Sequence, residues 1–280
     1  MMRLRAIAFL AVFPFGFWQP PAGGGSHGTV NFTSAGQTSW TVPAGVTSIT
    51  VKCWGGGGYR TTGSLGQYGG GGAYATAQYT VVPGASVKVW VGAGYSNGGG
   101  SMVSDGSGTY NWIVVAGGGG DSGYGSDSGG YGGYGGAVNG DSGGNCFSGN
   151  ANGGGGGRGT PGGGGAAGTG MGGDGSPGDG PASITYGPNN TSGGGGWYSG
   201  GSGGFVVGGG SGAGNGGGSS YYDTNGAHNY IGGGSATSGT DGASGLNAAN
   251  RGDANYMSGH GNGGQSDGAQ GQPGLVVIIY

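Results

Sequence analysis

Ile49-Thr50-Val51-Lys52-Cys53-Trp54-Gly55-Gly56-Gly57-Gly58 joins the two kinds of chain from which this protein is made. Up to Trp54 apolar and polar residues alternate, the two-residue period of a half-buried β-strand. From residue 55 the side chains stop. Glycine supplies 90 of the 280 residues, often in runs (55–58, 117–120, 153–157, 193–196). Ordering a backbone costs about 1–2 kcal/mol per residue, and glycine loses more freedom than any other residue. Such a chain either stays loose or pairs its own N–H and C=O groups densely.

The strand pattern recurs on both sides of the junction. Val30-Asn31-Phe32 and Ser39-Trp40-Thr41-Val42 precede a Pro43-Ala44-Gly45 turn. Tyr74-Ala75-Thr76-Ala77-Gln78-Tyr79-Thr80-Val81 turns at Pro83-Gly84 into Ser86-Val87-Lys88-Val89-Trp90-Val91, and Trp112-Ile113-Val114-Val115-Ala116 is continuously apolar. Short turns between such runs predict antiparallel pairing. After residue 116 only islands at 183–186 and 205–207 look strand-like, until Leu275-Val276-Val277-Ile278-Ile279-Tyr280. An apolar run of that kind is hazardous as a free edge, so it is expected to return to the first block. The expected class is all-β: an antiparallel, β-sandwich-like frame carrying a large inserted polyglycine II bundle. No α-helix is expected outside residues 3–13. The expected units are a leader (1–27), a β-rich domain (28–116), the glycine bundle (117–274) and a closing strand (275–280).

Polyglycine II is an extended helix of three residues per turn without internal hydrogen bonds. Lacking a Cβ, neighbouring helices can approach and bond laterally. Gly129-Gly130-Tyr131-Gly132-Gly133-Tyr134-Gly135-Gly136 places its tyrosines three apart, on one edge of such a helix. A disordered field is the rival reading.

Composition removes several classes. Charged residues are 6% and the net charge is −3, which argues against a basic nucleic-acid surface. Ten prolines and no strict Gly-X-Y register exclude collagen. A plain flexible linker rarely carries sixteen tyrosines and six tryptophans. Cys53 and Cys146 either form one bridge or stand as a strand thiol and a loop thiol; two cysteines are too few for a disulfide framework. Arg3 and Arg5 precede an apolar run at 6–18. It reads as a signal peptide, or as a docking segment touching a neighbouring subunit through Arg3, Phe9, Phe13, Phe15 and Trp18.

The run Trp40-Thr41-Val42-Pro43-Ala44-Gly45-Val46-Thr47-Ser48-Ile49-Thr50-Val51, then Trp54 and its glycines, Val114-Val115-Ala116-Gly117-Gly118-Gly119-Gly120, and the closing Gly274-Leu275-Val276-Val277-Ile278-Ile279-Tyr280 resemble the glycine-rich domains of bacteriophage tail-fibre and other bacterial surface proteins. The layout is also similar to the extracellular glycine-rich region of the anaplastic lymphoma kinase type of receptor. The resemblance implies a β-sandwich-like frame holding a polyglycine bundle and, in phage adhesins, loops at the bundle's end that meet the host receptor. The receptor kinases' own ligand and disulfides have no counterpart here.

Aromatic and amide residues set between glycine runs are the candidate contacts, because tyrosine and tryptophan give rigid area with a polar handle and Tyr/Ser/Gly/Asn mixtures suit adaptable binding loops. They are Tyr221, Tyr222, Asp223, Asn225, His228 and Tyr230 in one stretch, Trp197 and Tyr198 in another, and Tyr256 and His260 in a third. A flat aromatic beside amides and carboxylates also suits sugar rings. Shielding of the bundle's flank is the bland alternative. Arg251-Gly252-Asp253 meets by chance in such a chain and is given no role. Asn31, Asn189 and Asn190 fit the glycosylation pattern, which carries weight only in a eukaryotic secretory path. Asp121, Asp127, Asp141, Asp174 and Asp179 do not follow the calcium β-roll repeat, and His27, His228 and His260 are scattered, so no metal, cofactor or enzymatic site is expected. The expected function is a non-enzymatic adhesin, on a virion fibre or secreted, whose partners are a host surface protein or glycan and neighbouring subunits, with oligomerisation left open. The alternative is a self-assembling protein of a filament, sheath or capsid decoration. An ice-binding face needs a regular row of small residues, and the aromatic spacing is irregular.

Overall fold

The computed structural model describes residues 27–62, 67–94, 98–106, 112–123, 131–137, 140–141, 206–207, 211–212, 216–224 and 229–280. The leader with Arg3, Phe9, Phe13, Phe15 and Trp18, the island at 183–186, Cys146, and Trp197, Tyr198, Asn225 and His228 lie outside them.

Among the described residues there are twelve strands: β1 (Thr29–Phe32), β2 (Gly36–Thr41), β3 (Ser48–Trp54), β4 (Tyr74–Thr80), β5 (Ser86–Val91), β6 (Ser101–Ser104), β7 (Trp112–Ala116), β8 (Val206–Val207), β9 (Ser211–Gly212), β10 (Tyr221–Tyr222), β11 (Tyr230–Thr237) and β12 (Leu275–Ile279). They form two five-stranded antiparallel sheets, ordered β1-β12-β3-β4-β11 and β10-β7-β6-β5-β2, and a separate β8-β9 pair. The protein is all-β, with no helix among the described residues. The two proline turns close as their composition requires: Gly45 and Gly84 both take φ of 82°, and Val46 N and Ala85 N donate to Pro43 O (3.2 Å) and Val82 O (3.0 Å).

Alternation along the strands fills the space between the sheets. Ile49, Val51 and Cys53 of β3, Ala75, Ala77 and Tyr79 of β4, and Val276 and Ile278 of β12 meet Val87, Val89, Val91, Val103 and Val114 of the second sheet. Cys53 is a free thiol in this core, and burial pushes its pKa up; the structure leaves it unpaired. β12 lies between β1 and β3. Its other face, Leu275 and Val277, is covered by Trp54, Tyr74 and Ala249, which is why its sequence is apolar at every position rather than at alternate ones.

At one end of the sandwich the strands continue as glycine. Trp54 on β3 pairs with Tyr74 of β4 on one side and Leu275 of β12 on the other, and beyond them run residues 55–58, 69–73 and 271–274. Gly55 N donates to Ala73 O (2.9 Å), Gly56 N to Gly99 O (2.8 Å), Gly57 N to Gln272 O (2.9 Å) and Gly58 N to Gly70 O (2.9 Å). Three successive residues thus reach three different neighbours, and the fourth returns to the first. The next segment repeats the rule: Gly70 and Ala73 donate to Gly120 and Gly117, Gly71 to Thr240, and Gly72 to Gly261. Gly132 and Gly135 donate to Tyr68 and Gly71, and Gly239 and Gly242 donate to Gly135 and Gly132. A three-residue period of lateral bonding is the geometry of polyglycine II. Burial follows the same period: residues 132, 133, 135 and 136 are buried, whereas Tyr131, Tyr134 and Ala137 are half-exposed.

This array does not coincide with residues 117–274. It takes in 55–58, 69–73 and 98–100 from the first block, because the strands that feed it run straight on past the sheet ends. The 117–274 segment in turn contributes β10 and β11 to the two sheets. β6, β9, β10 and β11 have no counterpart among the sequence-predicted strands.

Candidate recognition surface

The sequence-predicted contact residues that the structure describes occupy two places. In the first, Tyr221 and Tyr222 pair with Val115 and Val114, so the stretch read as a loop is the edge strand β10. Tyr222 and Tyr230 pack against the inter-sheet core, while Tyr221 packs with Met102, Trp112 and Val115 on the outer face of the second sheet. Tyr230 meets Tyr79 edge-on at 5.9 Å, and its hydroxyl accepts from Gly234 N at 3.2 Å. Asp223 is 1% exposed. Its N–H donates to Ile113 O (3.0 Å), its Oδ1 accepts from Tyr221 OH (3.2 Å), and its carbonyl accepts from Tyr79 OH (3.3 Å). Tyr79 OH also donates to Ile113 O at 2.5 Å. Asp223 therefore holds β10 to β7 and β4 rather than facing a partner, a correction forced by its burial.

The second place is the closing part of the glycine field, residues 241–274, folded over the outer face of the first sheet. Trp54 Nε1 donates to Ala249 O (3.0 Å). The Trp54 ring lies between Tyr74 (4.8 Å) and Tyr256 (5.8 Å). Lys52 Nζ donates to both carboxylate oxygens of Asp253 and to Asn255 Oδ1, all at 2.8 Å. Asp253 is thus tied down rather than displayed, and residues 251–253 form no exposed acidic tip. His260 is buried, with Nδ1 and Gly274 O 2.8 Å apart; it braces the chain from inside, a second correction. Tyr256 OH donates to the His260 carbonyl (2.8 Å). Burial raises the Tyr256 pKa, and Arg251 and Asn262 beside it pull in the opposite direction.

Next to Tyr256 opens a polar cleft of about 330 Å³, bordered by Asn247, Arg251, Asn262, Gln265, Gln270 and Gln272. Of these residues only Arg251 stands out in the sequence, in the Arg251-Gly252-Asp253 triplet that is given no role there. The available signal is the three-residue spacing of Asn262 and Gln265 in a glycine segment, the spacing that puts Tyr131 and Tyr134 on one edge. Two smaller clefts border the frame, one around Val81, Val82 and Asn229 and one around Ile49, Ile231 and Tyr280. Among the described residues, no three His, Cys, Asp or Glu side chains gather as metal ligands. No protein-family model matches the chain, and no curated protein matches it.

Proposed function

We propose that the chain is a non-enzymatic structural adhesin, presented on a virion fibre or another extracellular surface, that recognises a cell-surface molecule. One observation supports this reading above the others: the glycine segments are bonded laterally to several neighbours, so the polar surface of residues 246–272 is held on a fixed platform instead of a mobile linker. A preorganised surface binds without the ordering cost of a flexible loop. The purified, fluorescently labelled chain is expected to adsorb saturably to a panel of bacterial and animal cells and to be displaced by unlabelled chain. Adsorption to no cell type, or adsorption that rises linearly without displacement, would reject the adhesin.

A second reading, a subunit of a filament, sheath or capsid decoration, is favoured by a different observation. β2 is exposed from Gly36 to Ser39 and forms one edge of its sheet, an open template for strand addition. Sedimentation at rising concentration separates the two readings: a constant mass leaves the adhesin, and open-ended growth favours the building block.

A further inference from the structure

We infer that the cleft bordered by Asn247, Arg251, Asn262, Gln265, Gln270 and Gln272 is a saccharide site, with Arg251 selecting sugars that carry a carboxylate. The inference rests on the recognition reading above and names the chemistry that reading leaves open.

The cleft is assembled by the array itself. Gly263 N donates to Leu246 O (2.8 Å) and Gln272 N to Asn262 O (2.7 Å), while Gly57 N and Gly264 N tie both walls to residues 57–58 and 272. Its walls are therefore as fixed as the glycine helices. Asn262 is engaged on both sides of its amide: Oδ1 accepts from Ala248 N (2.8 Å) and Nδ2 donates to Gln272 Oε1 (2.9 Å). That bond orients the Gln272 amide and leaves its Nε2 donors without a protein partner among the described residues. The side-chain amides of Gln265 and Gln270 likewise make no hydrogen bond among the described residues, although the Gln265 carbonyl accepts from Arg60 (2.8 Å). Arg251 gives one N–H to Asn247 Oδ1 and also hydrogen-bonds the Tyr256 side chain, and the remainder of its five donors face the cleft's polar border.

Three free planar amides, each offering a donor side or both a donor and an acceptor side, match a ligand whose groups also donate and accept. Hydroxyls of a sugar ring do both. Leu246 and Ala269 are the only apolar side chains on the border, which is too little for an apolar ligand. One guanidinium in a chain of net charge −3 is too little for a polyphosphate. No carboxylate borders the cleft, so the donors of Arg251 that Asn247 and Tyr256 leave over can pair with one from the ligand in a charge-assisted hydrogen bond. The volume lies at the small end of ligand pockets, room for one or two rings.

The full chain is applied to a printed array of bacterial and animal glycans, and the retained glycans are titrated calorimetrically beside neutral homologues, for example sialyllactose beside lactose and trigalacturonate beside galactotriose. Carboxylated glycans are expected to bind about tenfold more tightly than their neutral homologues, the scale of one charge-assisted contact. Arg251→Gln is expected to erase that preference. The double variant Gln270→Ala, Gln272→Ala is expected to weaken both kinds by about tenfold with only a small loss in melting, since Gln270 is exposed and Gln272 is half-buried and gives up one hydrogen bond to Asn262; Gln270→Ala alone is expected to melt as the parent does. Retention of no glycan, or affinities that ignore all three substitutions in chains that melt normally, overturns the site. Cell adsorption of the same variants separates the two proposals. Glycan binding without adsorption keeps the cleft and removes the adhesin, and adsorption without glycan binding does the reverse.

Discussion

At the residue scale the decisive atom is one that is missing. A Cβ built on Gly57 would fall inside the radius of Asn262 O, and on Gly58 inside that of Gly120 O. These glycines have no positive φ, so it is space and not backbone conformation that forbids a side chain. The obstructing atoms are carbonyls that are themselves hydrogen-bonded, so they cannot retreat without breaking a rung. Gly252, exposed on the turn after Arg251, has nothing within 4 Å of its Cβ position. The same substitution therefore has opposite consequences at two glycines of one chain. Gly57→Ala is expected to cost about 1–3 kcal/mol or more, as overpacking does. Gly252→Ala is expected to be neutral or stabilising by about 0.4–1 kcal/mol through the unfolded chain. Urea denaturation of the two variants beside the parent checks both, and equal costs would show that the array relaxes around an added methyl.

At the element scale, the loop that carries the cleft is clamped to β3 by the Lys52–Asp253 pair, whose side chains are 17% and 12% exposed. Burial alone would raise the Asp253 pKa. The hydrogen bonds from Lys52 and from Asn255 N, with the Lys52 charge and the Tyr74 hydroxyl, outweigh it and hold the carboxyl below its ordinary value. A folded value below the unfolded one means that ionised Asp253 stabilises the fold above the ordinary carboxylate range, and that this contribution disappears as the pH falls through that range toward the folded value. Asp253→Asn should therefore lower stability by about 1–3 kcal/mol near neutral pH, and the gap to the parent should close in acid. Thermal melts from pH about 7 down to about 3 follow it, and a gap independent of pH would show that the pair does not clamp the loop. Other elements differ in how far the sequence announces them. β3, β4, β5, β7 and the turns at Gly45 and Gly84 are legible because a period of two or a proline–glycine corner is local information. β6 is buried at all four positions and β11 reads Tyr-Ile-Gly-Gly-Gly-Ser-Ala-Thr; both are strands only because a neighbouring strand pairs with them. The tyrosines of the surface are visible in the sequence, but the inward placement of Asp223 and His260 is not. The cleft is hidden for the same reason, since its side chains are spread from residue 247 to 272 and converge only once residues 261–264 and 271–274 lie side by side.

For the whole molecule, the question is whether the glycine array opens with the sandwich or apart from it. Its segments bury almost no side-chain carbon, so the usual hydrophobic source of cooperativity is absent, and what replaces it is connectivity. Residues 68–73 are bonded to 55–58, 117–120, 132–135, 240, 242, 249 and 261, so freeing that one helix orphans groups in every neighbour. Buried unpaired amides are expensive, which makes partial opening costlier than the bond count of one segment suggests. Five strands also lead directly into the array: β3, β4, β6, β7 and β12 adjoin residues 55, 73, 100, 117 and 274, so these glycine segments are pinned at sheet ends. The expectation is a single cooperative unit. In native-state hydrogen exchange on glycine-labelled protein, the amides of Gly56, Gly58, Gly70, Gly72 and Gly120 should be protected to the same level as those of β3 and β12, and all should respond alike to low concentrations of urea. The amides of the exposed turn at Gly252 and Gly259 should exchange orders of magnitude faster. Protection of β3 without protection of the glycine segments would mean that the array opens on its own, and a platform that opens on its own holds no cleft in place.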